Sequence, residues 1–196
     1  VLFPSSTSDV AAIMSYCNKN LIPVTPSASL TGLSGGAIPV YHGVSLSMKK
    51  MNKIISIDNK NFQAVVEPGV INEVFQNKLK EINLFYPPDP ASKGSCSLGG
   101  NFALNAGGPK AIKYGVTSNY ILNLEIVLSS GDVFWTGANT LKNSTGYNLT
   151  QLIIGSEGTL AVITKAVLKL LPLPKQTVLM LVPFFNDIHA CDAVAD

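Results

Sequence analysis

The chain is short of charge, histidine and cysteine, and each shortage removes a class of protein. Only 13% of its 196 residues are charged, the formal net charge is +2 and no block of like charges occurs. It therefore lacks the cationic stripe that nucleic acid or an anionic membrane surface requires, and a small-molecule ligand fits better. The two histidines, His42 and His189, form no H-E-x-x-H pair, so zinc-hydrolase chemistry lacks its parts. Cys17, Cys96 and Cys191 are odd in number and widely spaced, without C-x-x-C. That pattern makes no metal or redox pair and suits a reducing, cytoplasmic setting. No apolar run reaches the roughly 18 residues that cross a bilayer, and the longest, 178–185, is interrupted by Pro183. No transmembrane segment and no metal site are expected. A starting Met, a basic n-region and a signal-like apolar segment are missing as well, so the N-terminus reads as trimmed.

Two nucleotide-binding signatures are absent. G-x-G-x-x-G needs two glycines separated by one residue, and no pair here satisfies it; Gly94 and Gly99 have the P-loop gap, but Gly100 stands where lysine should follow. Neither a Rossmann nor a P-loop site is expected.

What is present is apolar residues, 46% of the chain, enough to bury a core in one large domain or two small lobes. A cap-rich start, residues 5–9, leads into Val10, Ile13, Met14 and Cys17 at helical spacing. A short strand is expected over 21–25, then a Ser/Gly loop over 26–37 and a second strand over 44–48. The apolar runs 54–58 and 64–67 flank a polar turn, and 120–128 and 133–136 flank Ser129-Ser130-Gly131-Asp132; both read as hairpins. Ile71, Val74, Phe75, Leu79 and Ile82 mark another amphipathic helix. A last apolar strand is expected over 160–171. Near the end, Asn186-Asp187 reads as a cap, with Ile188, Cys191 and Val194 at helical spacing up to Asp196. A helix that stops there without a C-cap suggests a piece of a longer polypeptide. Helices and strands mix without βαβ alternation, so the expected class is α+β in two lobes.

The densest signal lies over 86–115, YPPDPASKGSCSLGGNFALNAGGPKAIKYG. Gly94, Gly99, Gly100, Gly107 and Gly108 sit there with Asn101 and Asn105. Glycine permits positive φ and close approach of the backbone, so bare N–H groups can converge on an anion such as a diphosphate. The segment reads as a ligand cradle made of loop.

Taken in order, the Ser/Gly loop, VEPGV (66–70), YPPDPASKGSCSLGGN (86–101), NAGGPKAIKYGV (105–116) and TGYNLTQLIIGSEGTLAVIT (145–164) closely resemble the FAD-binding domain of the D-lactate dehydrogenase and glycolate oxidase D-subunit family. That family belongs to the vanillyl-alcohol oxidase and p-cresol methylhydroxylase superfamily, and the likeness covers nearly all of the chain. It implies a two-lobed α+β domain holding FAD, with a separate substrate domain missing from this chain. Pro26, Ser27, Ala28, Ser29, Leu30, Thr31 and Gly32, with Ser95, Leu98, Gly99, Gly100 and Asn101, would surround the diphosphate and ribityl chain. Pro88, Asp89, Asn105, Ala106, Gly107, Tyr114 and Gly115 would line the flavin. Glu157, Gly158, Val162 and Ile163 would close the adenine and ribose side. Cys96 reads as a small buried residue and His42 as a surface one, so the FAD is expected to be noncovalent. Asp89 and Glu157 read as loop-ordering carboxylates rather than general bases. Lys93, Lys110 and Lys113 flank the cradle and suit either a diphosphate counter-charge or a solvated face.

The implied activity is oxidation of a 2-hydroxy acid such as D-lactate, glycolate or D-2-hydroxyglutarate by hydride transfer to flavin N5. Electrons would pass to an acceptor protein or a quinone. The alternative is a noncatalytic FAD-holding subunit that works beside a partner chain. The expected location is cytoplasmic, and a place at the periphery of the inner membrane also suits the full-length protein. One departure stands out: the family reads Pro-Arg-Gly-x-Gly-Thr-Gly in its first loop where this chain has residues 26–32, PSASLTG. Losing the arginine removes a charge-assisted contact of roughly 1.5–3 kcal/mol. If Leu30 must take positive φ, its β-carbon costs roughly 1–2 kcal/mol more. Partial flavin occupancy is therefore expected on purification.

Overall fold

A computed structural model describes residues 1–195. The chain opens with α1 (Thr7–Lys19), whose N-cap Ser6 accepts the Asp9 N–H at 3.1 Å. Of the four spaced apolar residues, Val10 and Cys17 are buried. The helix ends in a reversal: Ile22 N–H donates to the Cys17 carbonyl, Leu21 N–H donates to that of Asn18, and Leu21 holds φ 53°. That is the paired bonding by which helices stop at a left-handed residue. It moves the first strand downstream of its expected place, to β1 (Val24–Ser27).

β1 pairs in parallel with β2 (Val44–Ser47), and the long 28–43 loop makes the crossover that parallel strands require. The first expected hairpin appears as β3 (Ile54–Asp58) and β4 (Gln63–Val66). After α2 (Asn72–Lys80) and the short β5 (Leu84–Phe85), the glycine-rich stretch departs from its reading as loop. It winds into α3 (Leu98–Leu104) and a single turn, α4 (Ala111–Tyr114). Leu98 and Phe102, one turn apart and both fully buried, supply the apolar face that offsets two glycines in the first turn.

The second hairpin is β6 (Ile121–Val127) with β7 (Val133–Trp135). Before the last strand lies α5 (Leu149–Ile153), capped by Asn148. β8 (Val162–Lys169) and β9 (Leu171–Pro172) divide the expected terminal strand. The final α6 (Asp187–Ala195) follows Asn186, whose Oδ1 accepts the His189 N–H at 2.9 Å. Its Ile188 and Val194 are exposed.

The main sheet is antiparallel, ordered β3-β4-β8-β6-β7. β8 sits at its centre, and six of its eight residues are buried. Because side chains alternate across a sheet, Ile126 and Ile163 turn toward the larger core with Phe75, Tyr86, Leu98 and Phe102. Their neighbours Val127 and Val162 turn toward a smaller core with Val10, Leu46, Met48 and Met51. The two cores are the two lobes: α2 and α3 cover one face, and α1 with the β1–β2 pair covers the other.

Candidate functional site

Where the lobes meet, a cleft of about 830 Å³ opens, within the range of small-molecule and cofactor sites. One wall is the continuous loop 26–39; the opposite wall is α3 with residues 156–158 and the start of β8. In the loop, no acceptor within the described residues meets the backbone N–H of any residue from 29 to 37. Unpaired backbone donors bind water or ligand, so this run leaves a set of open donors on a loop that lines the cleft. Leu30 takes φ 59° within it, the left-handed geometry in which a β-carbon is strained.

Charge is scarce here. Among the cleft's lining residues Glu157 is the only ionisable one, and none of the chain's 14 basic residues is arginine. Glu157 also sits at positive φ, 53°, donates its N–H to the Ala103 carbonyl at 3.0 Å and rests its carboxylate against Gly36. It thereby joins the loop to the α3 wall.

Of the residues singled out in the sequence, the structure gathers Pro26, Ser27, Ala28, Ser29, Leu30, Thr31 and Gly32 in one wall of the cleft. Gly99, Gly100, Asn101, Ala106, Glu157, Gly158, Val162 and Ile163 are in the other. The remaining eight lie outside its wall. Leu98 is core, and its N–H donates to the Val70 carbonyl at 2.8 Å. The Ser95 hydroxyl donates to the Ser92 carbonyl. Pro88 offers its carbonyl to buried amides of α2. Asn105 ends α3 at φ 49°, and its Oδ1 accepts the Ser118 N–H. Tyr114 packs edge-on to Phe85 and accepts the Tyr120 hydroxyl at its carbonyl. Gly115 ends α4, and Gly107 packs near Val116 and Ala111. Asp89 pairs with Lys110 at 3.1 Å and Lys93 at 3.3 Å. Burial raises its carboxyl, but the two ammoniums outweigh this and hold it below the usual carboxylate range.

Gly99 illustrates why a glycine need not serve a ligand. Its N–H is already bonded to the Pro68 carbonyl at 2.8 Å, and a β-carbon there would lie 2.5 Å from Pro68 Cβ. The residue lets α3 approach the 68–70 turn. The free donors of the site are in the 29–37 loop instead.

Ser97 was not foreseen. Its hydroxyl lies in the cleft wall, buried and without a partner, and it caps no helix N–H. Once α3 forms, Ser97 and not Ser95 shares a face with Asn101; only the helix reveals that. Pro90, Ser92, Ser156 and residues 33–39 also line it. Free donors on one side, an orphaned hydroxyl on the other and an apolar floor suit a long ligand with an anionic centre.

Comparison with known proteins decides which ligand. A family model described as "FAD binding domain" matches residues 1–137. The chain belongs to this FAD-binding family. Over 183 residues it is 46% identical to "D-lactate dehydrogenase" of Anaerostipes hadrus, covering 93% of this chain and 38% of that protein. Over all 196 residues it is 40% identical to "Glycolate oxidase subunit GlcD" of Bacillus subtilis (strain 168), covering 42% of that protein. It thus spans about two-fifths of the length of these relatives. A solved structure of alkyldihydroxyacetonephosphate synthase superposes with a TM-score of 0.76 at 26% identity, over 89% of this chain and 34% of that one. 6-Hydroxy-D-nicotine oxidase from Arthrobacter nicotinovorans shares the fold, with a TM-score of 0.74 over 87% of this chain and 36% of that one, at 24% identity. The architecture is accordingly the two-lobed α+β type of p-cresol methylhydroxylase and not a Rossmann fold, and the cofactor is FAD. Among the described residues, no helix is long and apolar enough to cross a membrane.

Proposed function

We propose that residues 1–196 form the FAD-holding domain of a longer oxidoreductase that oxidises a 2-hydroxy acid such as D-lactate or glycolate. The substrate domain would belong to the part of the polypeptide that the relatives carry beyond this span. Bound in the cleft, FAD would supply the redox chemistry, as the acceptor of the hydride that leaves the Cα of the hydroxy acid.

The observation that carries the reading is the run of free N–H donors over 29–37 along the cleft. These amides hold the diphosphate, doing by dipole what an arginine does by charge. Glu157 fastens the loop from the far side, and Val162 and Ile163 give the apolar floor. The Cys96 sulfur is buried and neither it nor His42 is in the cleft wall, which supports noncovalent binding. The substrate and its electron acceptor meet groups from outside this chain, and the chain's own task is to orient and shield the cofactor.

Titration of the FAD-free chain tests this directly. At free FAD about 100-fold above Kd, binding adds about 2.7 kcal/mol, which raises Tm by about 5–10 °C for a chain of this size and quenches flavin fluorescence. Unchanged melting and fluorescence would overturn the reading. The FAD-loaded chain by itself should not turn over lactate or glycolate, and turnover would show that it carries the substrate site.

A further inference from the structure

A relay of buried amides behind the cleft dictates what one wall can offer. The Pro88 carbonyl can only accept, and it receives Asn72 Nδ2 at 3.2 Å and Gln76 Nε2 at 2.9 Å; the latter also reaches the Tyr86 carbonyl at 3.0 Å. Asn72 is fully buried. With its nitrogen committed to that carbonyl, its Oδ1 must face Asn101, which therefore presents Nδ2, at 3.4 Å. A primary amide carries its donor and acceptor on opposite prongs, so the Asn101 Oδ1 is turned away from the relay, on a residue of the cleft wall. The orientation of each amide descends from a backbone carbonyl, which has no second orientation to choose. One helical turn before Asn101 stands Ser97, with its buried and unpartnered hydroxyl.

We propose that Asn101 Oδ1 and Ser97 Oγ bind the ribityl hydroxyls of FAD and not its diphosphate, with Asn72 and Gln76 as the positioning pair that keeps the acceptor turned outward. This rests on the FAD reading above. An amide oxygen faces phosphate oxygens unfavourably, because both are acceptors with partial negative charge. A hydroxyl suits both partners, donating to Asn101 while Ser97 donates or accepts. The diphosphate meets its donors across the cleft in the 29–37 loop.

The experiment compares binding of FAD and of ADP, which has the diphosphate but no ribityl chain, by calorimetry on the FAD-free chain. Ser97→Ala and Asn101→Leu should each weaken FAD about three- to tenfold, the worth of one net hydrogen bond, and leave ADP unchanged. Asn72→Leu should reproduce this ratio through Asn101. Because Ser97→Ala removes one atom, it carries the test even if an Asn72 variant fails to fold. Equal losses for FAD and ADP would place the pair on the diphosphate and overturn the proposal, as would undiminished FAD binding by Ser97→Ala and Asn101→Leu. So would loss of the variants' effect with FAD methylated at flavin N3, which would make the imide N–H the partner. Failure of the wild-type chain to bind FAD would be separate, striking the FAD reading itself.

Discussion

Leu30 holds φ at 59° in the middle of the donor loop, where leucine costs about 1–2 kcal/mol over a residue without a β-carbon. Glycine at this position gives back about 0.5–1 kcal/mol of that through its freer unfolded backbone. Leu30→Gly is therefore expected to stabilise the chain by about 0.5–1 kcal/mol, a rise in Tm of about 1–4 °C, measured by calorimetry. A falling Tm would mean that the exposed leucine side chain contributes more packing than its backbone costs. The possibility of strain was visible in the motif, because a leucine replaces a family glycine; the backbone angle itself was not. The opposite held for Gly99. Its place in a Gly-Gly pair suggested ligand contact, whereas its neighbour Pro68, thirty-one positions earlier, is the reason no β-carbon fits there.

At the scale of elements, α1 is fastened to the sheet by one carboxylate. Glu125 on β6 accepts the Thr7 hydroxyl at 2.6 Å, that of Thr164 at 2.9 Å and the Lys165 ammonium at 3.0 Å. Burial raises its carboxyl, but these donors together outweigh burial and hold it below the ordinary glutamate range. A carboxyl lowered in the folded state contributes stability that is fully present above its unfolded value of about 4.3 and is lost as pH falls through the lower folded value. Glu125→Gln should cost about 1–3 kcal/mol at neutral pH. It should also flatten the fall in stability below about pH 4.5 in denaturant titrations at stepped pH. Parallel curves for the variant and the wild type would show that other carboxylates govern the acid limb. Element identity was mostly legible, since both hairpins and the first two helices follow from apolar spacing. α3 was hidden because two glycines mask a helix whose apolar face, Leu98 and Phe102, is defined only by what it packs against. β1 was displaced for a similar reason: the reversal at Leu21 depends on carbonyls of α1 that no local pattern announces.

At the scale of the whole molecule, the chain is weakly cationic while its cleft holds only a carboxylate. A diphosphate held by neutral peptide dipoles gains little from long-range attraction and loses little to screening. FAD affinity should therefore change by less than about twofold between about 0.05 and about 0.5 M NaCl, over which the screening length shrinks severalfold. A much steeper loss would mean that Lys93 or Lys110 leaves Asp89 and reaches the phosphates. The ordered series of motifs was enough to name the family, the cofactor and the α+β class, because long motifs record the backbone turns that a bound dinucleotide demands. Choosing among the motif residues took the folded chain. Which amides stay free, which hydroxyl is left without a partner and which way Asn101 points all depend on groups far apart in sequence, each satisfied or left open only when the two lobes close on one another.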